Sequence, residues 1–214
     1  VHAFGSEVKL NNNKFLIALT ISLVYLTFSL ACDPLAYRLV SIFGVTTSGS
    51  VILYPALYPM LDMLTRMMGK TTVIIMIIIF HFCDFLFSYA LFLVNLMPTP
   101  NTFDNLQAFN TVITPIPRLF WAGILGAISA GIIEVVIFSF LLRKIRNFFF
   151  STYIATSIVI IGHGVPTDYF AFSTAFPDQA WSLVIANNSI NITILSIYIL
   201  IASFFIFLIR KNAQ

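Results

Sequence analysis

Four carboxylates, Asp62, Asp84, Glu134 and Asp168, stand in or beside long apolar runs of a chain in which only 9% of residues are charged. At the centre of a bilayer each costs roughly 2.5–3.5 kcal/mol on insertion scales, so a chain this sparing with charge has a use for them. The chemistry open to such groups is to accept hydrogen bonds from N–H donors of a ligand, or to carry a proton. Glu134 is the clearest case. It precedes Arg143 by nine residues, about 13 Å along a helix, which puts it near the middle of the hydrocarbon. Its run is rich in small residues (Ala122, Gly123, Gly126, Ala127, Ser129, Ala130, Gly131) that permit close helix packing or leave room for a ligand.

Asp168 closes the stretch IGHGVPTD, residues 161–168. Gly162, Gly164 and Pro166 predict a broken or distorted helix there, and broken membrane helices expose amides and carbonyls that commonly form binding sites. His163 within the break is a candidate proton relay, with a satisfied interior histidine as the plain alternative. Asp62 shares a helix face with Arg66, four residues on, so it either faces a cavity or serves as the partner of a snorkelling arginine. Pro55 and Pro59 on the same face predict kinks above it. Asp84, with His81 three residues before it, is a candidate relay or a local hydrogen bond. Arg118, among prolines at the mouth of its run, attracts a ligand or anchors a helix. Tyr54, Tyr58 and Tyr169 lie next to carboxylates in sequence, and Trp121 has an ordinary interfacial explanation. Ring plus carboxylate suits a flat heterocycle bearing N–H donors, which stacks on the ring while the acid accepts paired hydrogen bonds.

The elements that must position these residues are membrane helices. Hydrophobic residues make up 59% of the 214, and the mean hydropathy is +0.98, far outside the balance of soluble domains. The expected fold is all-α and polytopic, with six spans of about 20 residues: residues 15–31, a span within 51–68, 71–96, about 119–142, 148–170 and about 190–209. Helices two and five are expected to be kinked or broken. The lipid bilayer is thus the first partner. Residues 1–14 and 210–214 read as cytoplasmic tails around a membrane domain of residues 15–209. Lys9, Lys14, Arg66, Lys70, Arg143, Lys144, Arg146, Arg210 and Lys211 fall on one side and only Arg38 and Arg118 on the other, so the positive-inside rule places both termini in the cytoplasm. The net charge of +3 needs no nucleic acid to explain it. Two cysteines, Cys32 and Cys83, offer no disulfide framework. GKT at 69–71 lacks the leading glycine of a phosphate loop, Leu64 standing in its place. No cofactor or metal site is expected. The oligomeric state is open, a homodimer being one option.

Three stretches, in order, resemble the queuosine precursor transporter family, the YhhQ-like or VUT group. TTSG at 46–49 followed by Pro55, Asp62, Arg66 and Gly69 is similar to the family's second-helix signature. Arg118 followed by Glu134 and Phe138 resembles its arginine-to-acid spacing on the fourth helix, and Gly164-Val165-Pro166-Thr167-Asp168 with Tyr169 and Phe170 resembles its segment on the fifth. Departures are Glu134 where members carry Asp, Gly131 for a glutamine, Val165 for an asparagine, and no lysine between 190 and 209. The resemblance implies import of 7-deazaguanine bases, 7-cyano-7-deazaguanine and 7-aminomethyl-7-deazaguanine, across a bacterial inner membrane, with Asp62, Glu134 and Asp168 as the principal site residues.

The competing reading is the substrate-binding S subunit of an energy-coupling-factor importer, also a six-span chain of this length. Such subunits dock through small residues spaced by four on the first helix, where only Ala18 and Ser22 fit. An intramembrane enzyme finds no support in motifs: HExxH and GxSG are both missing from the sequence.

Overall fold

A computed structural model describes residues 12–36, 38–100 and 103–211. Helix α1 (Asn12–Ala36) leads into a hairpin of β1 (Leu39–Ile42) and β2 (Val45–Ser48), then a 3-10 turn, Gly49–Ile52, and α2 (Tyr54–Met68). There follow α3 (Lys70–Asn95), the short α4 (Leu106–Ile113), α5 (Pro115–Ile145), α6 (Phe148–Val159), a π-helical turn Ile160–Gly164, α7 (Val165–Ala175), a second 3-10 turn at Pro177–Gln179, and α8 (Ala180–Lys211).

Among the described residues five helical segments are long and apolar enough to cross a membrane: Asn13–Ala36, Lys70–Asn95, Gly126–Ile145, Phe148–Ser173 and Pro177–Leu208. The second expected span differs. Helix α2 has 15 residues, about 22 Å against a hydrocarbon core of about 30 Å. Ten of the 15 are buried, because α2 packs against α1, α3, α5, α6 and α8. It is the central helix, and three apolar clusters meet it through Leu57, Leu61 and Leu64, through Tyr58, and through Met63.

Pro55 opens α2 in its first turn, where a missing N–H is harmless, instead of kinking it. Pro59 lies inside the helix. The break expected at Gly162, Gly164 and Pro166 takes the form of the π-helical turn, so the backbone stays helical from Phe148 to Ala175. One extra residue per turn accommodates Pro166 without parting the two helical halves. The first span extends past residue 31 to Ala36, with Pro34 inside the helix, so Asp33, expected in a loop, is helical. Helix α8 starts ten residues before the expected position 190.

TTSG at 46–49 is mostly strand: Leu39 pairs with Ser48 and Ile42 with Val45. Ser48 then caps the 3-10 turn, accepting from the Ser50 amide (3.3 Å) and donating to the Ala36 carbonyl (2.8 Å). Gly49 is needed for close approach: its amide donates to the Arg38 carbonyl at 2.6 Å, and a Cβ there would stand 3.0 Å from that oxygen. The hairpin turns on Phe43 and Gly44, both at positive φ (51° and 81°). A left-handed residue other than glycine costs about 1–2 kcal/mol, and Phe43 is fully exposed. Phe43→Gly is therefore expected to raise stability by about 1 kcal/mol once glycine's larger unfolded-state entropy is deducted, measured as an increase in Tm in detergent.

Candidate functional site

Two polar clusters lie inside the helix bundle on opposite flanks of a tyrosine pair. The first joins α2, α5 and α6. Asp62, Glu134, Thr152 and Thr156 are all fully buried. Thr156 donates its hydroxyl to Glu134 Oε1 at 2.8 Å, and the Asp62 carboxyl faces Glu134 and Thr152. That leaves Glu134 Oε2, both Asp62 oxygens and the Thr152 hydroxyl buried without a hydrogen bond of good geometry. Buried polar groups are almost always satisfied, so a concentration of unsatisfied ones calls for an explanation. The Asp62–Arg66 pairing weighed from sequence is not what organises Asp62, since its oxygens make no hydrogen bond and the Arg66 guanidinium sits over the Phe148 ring, 5.8 Å from its centroid.

The local sequence explains the arrangement. Gly131, one turn before Glu134, lets Ile77 of α3 approach to 3.3 Å of where a Cβ would lie, drawing α5 against the bundle. Thr152 and Thr156 are one turn apart and so present both hydroxyls from one face of α6.

The second cluster joins α7, α8 and β2. Asp168 Oδ2 accepts from Asn187 Nδ2 (2.7 Å) and Asn188 Nδ2 (2.9 Å), while Thr47 of the hairpin donates to Asn187 Oδ1 at 3.2 Å. Asn188 Nδ2 also donates to the Val184 carbonyl (2.9 Å). Asn188 Oδ1 and Asn191 Oδ1 are buried without partners. Gly164 makes room for Asn188, whose Oδ1 would lie 2.8 Å from a Cβ there.

Between the clusters, the Tyr54 and Tyr58 hydroxyls are 2.6 Å apart, their rings edge to face at 5.5 Å. Tyr58 lies within electrostatic reach of Glu134, and Tyr54 within reach of both Glu134 and Asp168. Of the residues singled out from sequence, the structure thus gathers Asp62, Glu134, Asp168, Tyr54 and Tyr58.

Others lie elsewhere. Tyr169 is 39% exposed and packs on Trp181 at 4.5 Å, turned away from its neighbour Asp168. Asp84 meets Asp33 across the α1–α3 contact, and His81 Nδ1 bonds the Ile77 carbonyl (2.8 Å) one turn back. His163, in the π-helical turn, packs over Gly126 and its carbonyl accepts from Thr167 Oγ1 at 2.9 Å. The side chain of Arg118 lies outside the described residues. No group of three or more potential metal ligands occurs among the described residues.

Sequence reading missed Thr47, Thr152, Thr156, Asn187, Asn188 and Asn191. A signal existed for the asparagines: NNSIN at 187–191 puts three amides within one turn of an otherwise apolar run. It was hidden by starting the last span at 190. Thr156→Val removes the hydroxyl that donates to Glu134 at almost constant volume, and a drop of about 1–3 kcal/mol in ligand affinity or stability is expected, readable by titration and thermal melting of the same preparation.

A family model described as "Putative vitamin uptake transporter" matches residues 48–209. No curated protein and no solved structure matches the chain.

Proposed function

Since the chain belongs to the vitamin uptake transporter family, which includes queuosine precursor transporters, we propose that it imports a flat, N–H-rich heterocycle of the 7-deazaguanine class. The bases meant are 7-cyano-7-deazaguanine and 7-aminomethyl-7-deazaguanine, taken up across a bacterial inner membrane by a secondary transporter. The observation that carries this reading is the chemistry of the unsatisfied buried atoms. Within the two clusters, both Asp62 oxygens, Glu134 Oε2, Asn188 Oδ1 and Asn191 Oδ1 are acceptors, and the Thr152 hydroxyl is the one donor beside them among the described residues. An acceptor-rich interior calls for a donor-rich ligand. The amino-pyrimidinone edge of a deazaguanine presents adjacent N–H groups that a carboxylate accepts in pairs, and the Tyr54 and Tyr58 rings supply the apolar faces that a planar base stacks on. Adjacent carboxyls such as Asp62 and Glu134 can also share a proton, which offers a means of coupling uptake to a proton gradient.

The S-subunit reading has less support. Ala18 and Ser22, the small residues proposed to dock a partner, are 1% and 8% exposed, and Ser22 spends its hydroxyl on the Ala18 carbonyl (2.7 Å). They are packed inside the chain.

The test is a thermal-shift panel on purified protein followed by uptake into liposomes that contain no ATPase module. The 7-deazaguanines are expected to raise Tm, by about 2.7 kcal/mol of stabilisation at 100-fold excess over Kd, and to accumulate inside the liposomes. Stabilisation by riboflavin or thiamine alone sinks the substrate assignment, and uptake that demands an ATPase module sinks the secondary-transporter assignment.

A further inference from the structure

A groove of about 730 Å³ runs along the outside of the bundle between α1 and α8. Its floor is a face of α2 made by Ala56, Pro59, Met60 and Met63, and its walls include Ile17 and Phe205. Small Ala56 and ring-closed Pro59 deepen it. Lys14 and Asn13 line one end, beside Leu208. The opposite end contains Val24 and Tyr198, whose hydroxyl is engaged by the Ile52 carbonyl at 2.6 Å. The groove is thus apolar along its length and cationic at one mouth.

From this charge pattern we infer that the groove binds the acyl chain of an anionic phospholipid, with the headgroup phosphate at Lys14. Basic pockets between transmembrane helices at the membrane surface recognise lipid headgroups in this way. The apolar floor at membrane depth suits an acyl chain, which conforms to an irregular trough more readily than a rigid helix about 10 Å across. A zwitterionic lipid supplies the same chains but offsets its phosphate with its own cation, so the preference must come from Lys14.

The experiment is native mass spectrometry of the full chain, purified in detergent and supplied with phosphatidylglycerol or phosphatidylcholine, with Tm measured in parallel. Phosphatidylglycerol is expected to remain bound and raise Tm, and phosphatidylcholine to dissociate. Lys14→Glu should weaken phosphatidylglycerol retention more than the roughly fivefold expected for losing one cation at an anionic surface. Thr20→Phe, which fills the groove from α1, should abolish retention, and Lys144→Glu at the end of α5 should leave it unchanged. Equal retention of both lipids, or equal loss in Lys14→Glu and Lys144→Glu, overturns the proposal. So does a dimer mass that carries no lipid and is lost in Thr20→Phe, because the occupant is then a second copy of the chain. None of these readouts depends on which heterocycle the protein carries.

Discussion

Glu134→Gln and Asp62→Asn are each expected to weaken 7-deazaguanine binding about 100-fold while leaving Tm unchanged or higher. The two effects have opposite signs for one reason. Hydrogen bonds to charged groups contribute about 1.5–3 kcal/mol each, and the amide replaces one acceptor with an NH2 that points a donor at the donors of the ligand. Losing a bidentate acceptor at that scale amounts to about two decades of affinity. Stability moves the other way because Asp62 and Glu134 are two buried acids that face one another, and replacing either with a neutral amide removes a charge that is costly to keep in the interior. An ordinary structural carboxyl gives the reverse result: the variant melts lower and binds normally once folded. The check is isothermal titration and thermal melting on the same purified variants. Retained affinity in both, or retained uptake by cells producing them at wild-type level, removes the acid pair from the site.

Asp168→Ala should behave differently. Asp168 has partners, and its loss strands the Asn187 amide donor in the protein interior and leaves that of Asn188 only the Val184 carbonyl. At about 1–3 kcal/mol for a stranded group the variant should lose at least that much stability together with uptake. Asp168→Asn keeps an acceptor for one amide and should recover part of the stability without recovering transport. If Asp168→Asn transports at the wild-type rate, Asp168 only ties α7 to α8. If Asp168→Ala melts normally, the amide bonds are not what orients it.

The contrast between these carboxylates could not be read from the chain alone. Asp62 stands four residues before Arg66, and spacing left open whether it pairs with the arginine or faces a cavity. Burial decides: α2 is enclosed by five helices, and its Asp62 face turns inward to Glu134 and Thr152 while Arg66 settles over Phe148. Asp33 and Asp84 are 51 positions apart in sequence and become neighbours only because α1 packs on α3. Asn187 and Asn188 looked like loop residues because hydropathy loses a span at its polar end. They are helical because Asp168 and Thr47 satisfy their amides, so that the polar end can be carried inside.

The sequence by itself determined the membrane class, helices α1, α3 and α5 and most of α8, an apolar run from Phe148 with an irregularity around residues 162–166, and the identity of the acids worth testing. Those follow from apolar length and from the energetic penalty of charge in hydrocarbon, both local properties of the chain. Only the tertiary structure decided that residues 46–48 form strand, that α2 is a short central helix, and that the distortion at 160–164 is a π-helical turn. It alone decided which polar atoms are left without partners, because satisfaction of a hydrogen bond depends on the facing helix, and no periodicity within one helix encodes what its neighbour presents.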